Sequence, residues 1–157
     1  MKFKLAILIC MCVAAAGCMR GGDYDMTLRR EGYIKVSGGC VAYTAGEMRF
    51  MPKADGSVRV VVNNRGGWFR VGSGPFHGCD VSISEDEAWT FFAVVKDMLD
   101  YPREADHGPS TRMAVVEIYL PLKSGDIETT WREADGKYDL DPLLDYLQES
   151  VESFAAK

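Results

Sequence analysis

The strongest constraint on the fold is a segment in which apolar and polar residues alternate directly after a turn signal. In residues 57–64, SVRVVVNN, valines at every second position face one way, while Arg59 and Asn63 face the other. The segment follows Asp55-Gly56, a dipeptide typical of tight hairpin turns. This pattern predicts a strand of an antiparallel sheet that has one buried and one exposed face.

Other short segments have a similar composition, and turns rich in glycine and aspartate separate many of them. Closely spaced strands of this kind are joined by hairpins. The sequence therefore predicts a mainly antiparallel sheet of about six or seven strands. The predicted strands cover residues 33–37, 40–45, 47–51, 57–64, 68–72, 112–122 and 127–133.

Two amphipathic helices accompany the strands. The first is expected to begin at Ser84, which forms a capping-box pattern with Glu87, and to end before Pro102. The second is expected to begin with Asp141 as the cap and Pro142 at the first helical position. The apolar stripes consist of Ala88, Phe91, Phe92, Val95, Met98 and Leu99 in the first helix and of Leu143, Leu144, Leu147, Val151 and Phe154 in the second. We expect an α+β fold in which both helices cover the sheet.

The leader, MKFKLAILICMCVAAAG, has the organisation of an export signal. Lys2 and Lys4 precede an apolar run over residues 5–16, and small residues follow it. The run is shorter than the roughly 20 residues that a helix needs to cross a bilayer. The leader is therefore expected to direct export rather than to remain as a membrane span.

Ala16 and Gly17, directly before Cys18, resemble the processing site of bacterial lipoprotein signal peptides. At the position three before the cysteine, where that family most often has leucine, this chain has Ala15. The resemblance implies that Cys18 receives a diacylglycerol group and becomes the first residue of the mature protein. The alternative is an ordinary secretory signal, cut nearby, that leaves Cys18 as a free thiol.

The resemblance also implies a location in the bacterial cell envelope. Met19 follows the cysteine, whereas in many Gram-negative bacteria an aspartate at this position retains lipoproteins at the inner membrane. We therefore expect the outer membrane, with the domain facing the periplasm. The expected organisation is a signal peptide over residues 1–17, the lipidated cysteine and a flexible tether over 18–25, and a single domain over 26–157.

The charge of the chain bears on its partners. The net charge is −5, and removal of the two lysines of the leader lowers it to −7. An acidic protein gains no attraction to nucleic acid or to anionic lipid. The expected contact with the membrane is therefore the N-terminal lipid, and nucleic acid is not an expected partner.

Two cysteines, Cys40 and Cys79, remain after the leader and Cys18 are accounted for. An even number of cysteines in an oxidising compartment predicts one disulfide between them. The alternative is that Cys79, with His77 two residues before it, is a nucleophile or a metal ligand.

The patterns that mark common enzyme and metal sites are missing from the sequence. His77 and His107 belong to no HExxH or paired-cysteine zinc pattern, and no GxSxG segment is present. The glycine-rich segment 71–78 lacks the Lys-Ser/Thr ending of a phosphate-binding loop, and the acidic run 85–87 lacks the spacing of a calcium loop. We therefore predict a non-enzymatic protein without metal or cofactor.

Aromatic residues near glycine turns are the best candidates for a binding surface. The candidate residues are Trp68, Phe69, Arg70, Phe76, His77 and Asp80. Exposed aromatic and arginine side chains of this kind dominate the binding energy of many protein interfaces. The alternative is that Trp68 and Phe76 turn inward and close the end of the sheet.

The combined features predict a lipid-anchored envelope protein that acts through a protein-binding domain. One concrete form is an inhibitor or immunity protein that acts against a toxin enzyme. An accessory lipoprotein of an envelope assembly or secretion complex is the second alternative, and a cell-wall-directed hydrolase is the third.

Overall fold

The computed structural model describes residues 24–39, 44–106 and 113–157. A six-stranded antiparallel sheet carries two helices, which confirms the expected α+β fold. The strand order across the sheet is β4-β3-β2-β1-β5-β6. The elements are β1 (Gly32–Gly38), β2 (Thr44–Pro52), β3 (Val58–Asn63), β4 (Gly78–Ile83), α1 (Glu85–Asp100), β5 (Val115–Leu122), β6 (Gly125–Arg132), a 3₁₀ turn (Glu133–Asp135) and α2 (Asp141–Ala155).

Every pair of neighbouring strands is antiparallel. Strands β1 to β4 follow one another as a meander, and the chain then returns through α1 to place β5 on the other side of β1. Ile34 of β1 lies opposite Met48 of β2 and Ile118 of β5. Because directly opposed residues point to the same side of a sheet, these three form part of one continuous buried row.

The strands differ from the predicted ones in three places. The predicted strand 47–51 is wrong as a separate element, because β2 runs without interruption from Thr44 through Gly46, which pairs with Val36. Residues 40–43 of the predicted strand 40–45 lie outside the described residues. The predicted strand 68–72 is also wrong, since these residues belong to a loop. Strand β4 was not predicted, because its sequence, GCDVSI, has few strongly apolar residues. It is an edge strand, where one face of polar residues is tolerated.

Both helices begin with local hydrogen bonds that satisfy their first amide groups. At α1, Ser84 Oγ accepts from the Glu87 amide at 3.2 Å, and Glu87 Oε2 accepts from the Ser84 amide at 3.0 Å, which confirms the capping box. At α2 the expected Asp141 cap is wrong. The N-cap residue is Leu140, and the carboxylate of Asp139 accepts from the Asp141 amide at 3.0 Å.

The core lies between the helices and one face of the sheet. Phe50 of β2 packs against Phe91 and Phe92 of α1, with ring centroids 5.2 and 5.1 Å away, and Phe91 lies 6.0 Å from Phe154 of α2. Burial of these apolar side chains is the main source of stability for a domain of this size. The opposite face of the sheet carries charged residues, among them Arg49, whose Nε lies 3.3 Å from a carboxylate oxygen of Glu47.

The two ends of the sheet carry different connections. We call the end with the turns 53–57 and 123–124 the turn end, and the end where residues 64–77 join β3 to β4 the loop end. The segment before β1 lies at the turn end. No helix among the described residues is both long and apolar enough to cross a membrane.

Candidate binding surface

Residues 64–77 at the loop end form a loop that Asn64 holds in place. The Asn64 side chain is 2 % exposed and donates from Nδ2 to the carbonyl oxygens of Phe69 and Phe76, both at 2.7 Å. Its Oδ1 accepts from the Phe69 amide at 2.8 Å. In addition, the Asn64 amide donates to the His77 carbonyl oxygen at 2.9 Å. One buried side chain therefore ties the middle of the loop to its last turn.

Close contact between the loop and β2 depends on small residues. The Phe69 ring lies over Gly46, where a Cβ atom would be only 2.5 Å from the ring. Gly66 lies against the backbone of Ala45, and a Cβ atom there would overlap with it. The two glycines let the loop pack directly on the sheet, and the Phe69 ring covers the strand glycine.

The structure separates the predicted binding residues into buried and accessible ones. Phe69 is 2 % exposed and belongs to the core, so its prediction as an exposed contact residue is wrong. Trp68 and Phe76 are half-buried and pack against the core. Arg70 and His77 are exposed. The loop thus presents two partly accessible aromatic side chains next to polar ones.

Arg70 is connected to α2 through its backbone. Its amide donates to Gln148 Oε1 at 3.1 Å, and its carbonyl oxygen accepts from Gln148 Nε2. The guanidinium group of Arg70 remains exposed and has no ion-pair partner among the described residues. The backbone at this position is therefore fixed, while the charge stays accessible.

Asp80 does not belong to the loop surface. Its side chain projects from β4 to the open face of the sheet, where both carboxylate oxygens accept from Arg59, at 2.9 and 2.5 Å. The hydrogen bonds from Arg59 lower the pKa of Asp80. Asp80 thus forms an ion pair within the protein, on the side of the sheet away from the core and apart from the loop residues with which it was grouped in the sequence analysis.

Two pockets lie at the loop end. One, of about 520 Å³, is formed within the loop and includes Phe69, Arg70, Phe76 and His77. The other, of about 310 Å³, lies on the open face of the sheet. Arg65 lines both pockets. The lining of the second pocket is Lys35, Val36, Ser37, Ala45, Gly46, Glu47, Asn63, Arg65, Gly66 and Glu117.

Sequence reasoning missed Asn64 and Gln148. For Asn64 a signal existed, because the alternation of buried residues in β3 continues one step beyond the strand and places Asn64 on the core side. A polar side chain at a buried position needs hydrogen-bond partners, so a structural role for Asn64 could have been inferred from the sequence. No comparable local signal marks Gln148, which contacts residues far away in the sequence.

The cysteine at the sheet edge is a thiol in this structure. Cys79 is half-buried on β4, opposite Val62, and burial is the main cause of its raised pKa, with Asp80 adding to it. Cys40 lies outside the described residues, so the disulfide stays a prediction. Gly38, two residues before Cys40, ends β1, and β1 is separated from β4 by two other strands. Formation of the bond would require the chain after Gly38 to cross the ends of those strands.

Cys18 and His107 lie outside the described residues. Within the described part of the chain, no group of three or more His, Cys, Asp or Glu side chains is placed to hold a metal ion.

Comparison with known proteins found no family model and no curated protein that matches this sequence.

Proposed function

We propose that the chain is a lipid-anchored protein of the bacterial envelope and that its domain binds another protein through the loop end, without catalysis. The observation that carries the proposal is the Asn64-held loop, which presents partly accessible aromatic and exposed arginine side chains beside two pockets. The lipid anchor rests on the sequence pattern before Cys18.

The fixed backbone of the loop favours binding. Ordering a flexible loop on association costs free energy, and that cost is largely avoided when the loop is already held in one conformation. Here the hydrogen bonds of Asn64 and the contact of Arg70 with Gln148 hold the loop before any partner binds. Trp68, Phe76 and Arg70 are residue types that dominate interface energies when a partner covers them.

The charge of the loop suggests the kind of surface that it contacts. Residues 64–77 contain Arg65 and Arg70 but no aspartate or glutamate, although the whole chain has a net charge of −5. The two loop arginines attract acidic patches, which the net charge of the whole chain would repel. We therefore propose a partner with an exposed acidic surface. An inhibitor that covers a toxin enzyme is a concrete form of this function.

The test is capture of partners by the mature domain, followed by charge reversal. Residues 19–157 are used to capture secreted and envelope proteins of the producing cell, and the bound proteins are identified by mass spectrometry. The double variant R65E/R70E should lose the partner. The variant K53E/K123E changes the same amount of charge at the turn end and should retain it. Capture of nothing by the wild type, or equal capture by both variants, would contradict the proposal.

A further inference from the structure

We infer that the turn end of the domain faces the lipid bilayer and that the loop end points away from it, so that the partner is a protein that presents its contact surface in the aqueous compartment and not inside the bilayer. The inference rests on the proposed lipid attachment at Cys18. It adds an orientation, and a class of partner, to that proposal.

The first observation is that the chain is fixed to the turn end from Asp25 onward, at the last residue of the expected tether. The carbonyl oxygens of Asp25 and Thr27 accept from the amides of Ser124 and Lys123, both at 2.9 Å, and the Arg29 amide donates to the Pro121 carbonyl oxygen at 2.8 Å. These bonds join the segment to the turn between β5 and β6.

Side-chain burial fixes the same segment. Met26 and Leu28 are 1 % and 5 % exposed and belong to the core. A segment that is both hydrogen-bonded and buried does not detach without loss of stability. The position where the tether leaves the domain is therefore fixed at the turn end.

The second observation is the length of the tether. Seven residue steps separate Cys18 from Asp25. In any conformation, a chain of this length spans at most about 25 Å. The turn end thus stays close to the lipid headgroups.

The length of the sheet makes an inverted orientation unfavourable. Strand β2 has 9 residues, and at a rise of about 3.3 Å per residue it spans roughly 26 Å between the two ends. To bring the loop end to the bilayer, the tether would have to run along the whole sheet, which requires its full extension.

The turn end carries a side chain suited to the membrane surface. Tyr24, the first described residue, is 50 % exposed, and its ring and hydroxyl group match the mixed apolar and polar character of the headgroup region. The two pockets, with Arg65 and Arg70 in their lining, lie at the other end. A partner that binds there is reached from the aqueous side.

The experiment measures the orientation directly, whether or not the cell attaches the lipid. Residues 18–157 with Cys40 and Cys79 replaced by Ser are coupled through Cys18 to maleimide-phosphatidylethanolamine in phosphatidylcholine nanodiscs that contain a gadolinium-chelating lipid. Paramagnetic relaxation of backbone amides is then compared between Ser124 at the turn end and Ser73 in the loop. Because the effect falls with the sixth power of distance, we expect at least a tenfold stronger relaxation at Ser124.

A matched control inverts the anchor. With Cys18 replaced by Ser and the lipid coupled through S73C, the loop amides should relax faster than those of the turn end. Equal relaxation at both ends of the Cys18-anchored protein, or faster relaxation at Ser73, would overturn the orientation. Failure of native lipidation is detected separately, by membrane fractionation of the C18S variant in cells, and would overturn the proposed anchor instead.

Discussion

Replacement of Asn64 by alanine should destabilise the domain far more than a surface substitution, because Asn64 is the one buried polar residue in the described part of the chain. The change removes three side-chain hydrogen bonds, two to carbonyl oxygens at 2.7 Å and one from an amide at 2.8 Å. At a net value of about 1 kcal/mol for each bond, the expected loss is about 3 kcal/mol. The loop can open to water, which keeps the loss below the full cost of three unpaired buried groups.

The assay is thermal unfolding followed by circular dichroism, together with hydrogen exchange of the loop amides. A loss of about 3 kcal/mol should lower the unfolding midpoint by roughly 10 °C. Asn63 provides the matched control: it is the neighbouring residue, it is exposed, and its Oδ1 accepts only a long bond of 3.3 Å from the Arg65 amide. Asn63→Ala should change stability by less than about 0.5 kcal/mol. If the two variants had equal stability, the role assigned to Asn64 would be refuted.

Asn64→Asp separates hydrogen bonding from packing, since the two side chains have nearly the same shape. A carboxylate retains the acceptor for the Phe69 amide but places a negative charge beside the carbonyl oxygens of Phe69 and Phe76. The pKa of the introduced carboxyl should therefore lie above its unfolded value of about 3.9. Because the pKa is raised in the folded state, the variant should be most stable below the unfolded pKa and should lose stability as the pH rises through the folded pKa. Stability of N64D that is independent of pH would contradict this account.

The remaining predictions concern the loop contact, the ion pair on the open face, the cysteine pair and the anchor. Gly46→Ala should destabilise the domain by about 1–3 kcal/mol in urea unfolding, because the added methyl group would lie only 2.5 Å from the Phe69 ring. Adding Phe69→Leu to this variant should restore part of the lost stability, because leucine is smaller than phenylalanine. Arg59→Ala should raise the pKa of Asp80 towards its usual range in an NMR titration, because the hydrogen bond from Arg59 is the main cause of the lowered pKa. The ion pair should stabilise the wild-type protein above the pKa that Asp80 has in the unfolded chain, and this stabilisation should be lost as the pH falls through the lower pKa of Asp80 in the folded protein. The disulfide that the cysteine count predicts between Cys40 and Cys79 is tested by intact mass after alkylation, with and without prior reduction. Alkylation of both cysteines only after reduction would support it, and two alkylated thiols in the unreduced protein would exclude it. Cys18→Ser should move the protein from the membrane fraction to the soluble envelope fraction, and unchanged membrane attachment would count against lipidation.

Local patterns predicted the parts of the fold that depend on local interactions. The capping box at Ser84 and the hairpin at Asp55-Gly56 are encoded by residues close together in sequence, and both are present in the structure. The position of Phe69 is not encoded in this way. Its segment has the composition of a strand, but its ring fits over Gly46, more than 20 residues earlier, and this distant contact determines its conformation. The candidate surface was therefore only partly predictable. Phe76 is in a loop as expected, Trp68 and Arg70 are in the loop although a strand was predicted there, and the contacts that hold the loop were found only in the structure.

The number of strands between the tether and the loop determines whether the two lie at the same end of the sheet or at opposite ends. The chain passes from the turn end into β1, and each antiparallel hairpin reverses its direction, so that the third strand must end at the loop end. The predicted strands would have divided β2 into two, and the segment after residue 64 would then have followed a fourth strand and fallen at the turn end, beside the membrane. One wrong break at Gly46 thus reverses the inferred position of the binding surface. The contact of Phe69 with Gly46 lets β2 continue through a glycine, and the uninterrupted β2 places the loop at the end opposite the tether.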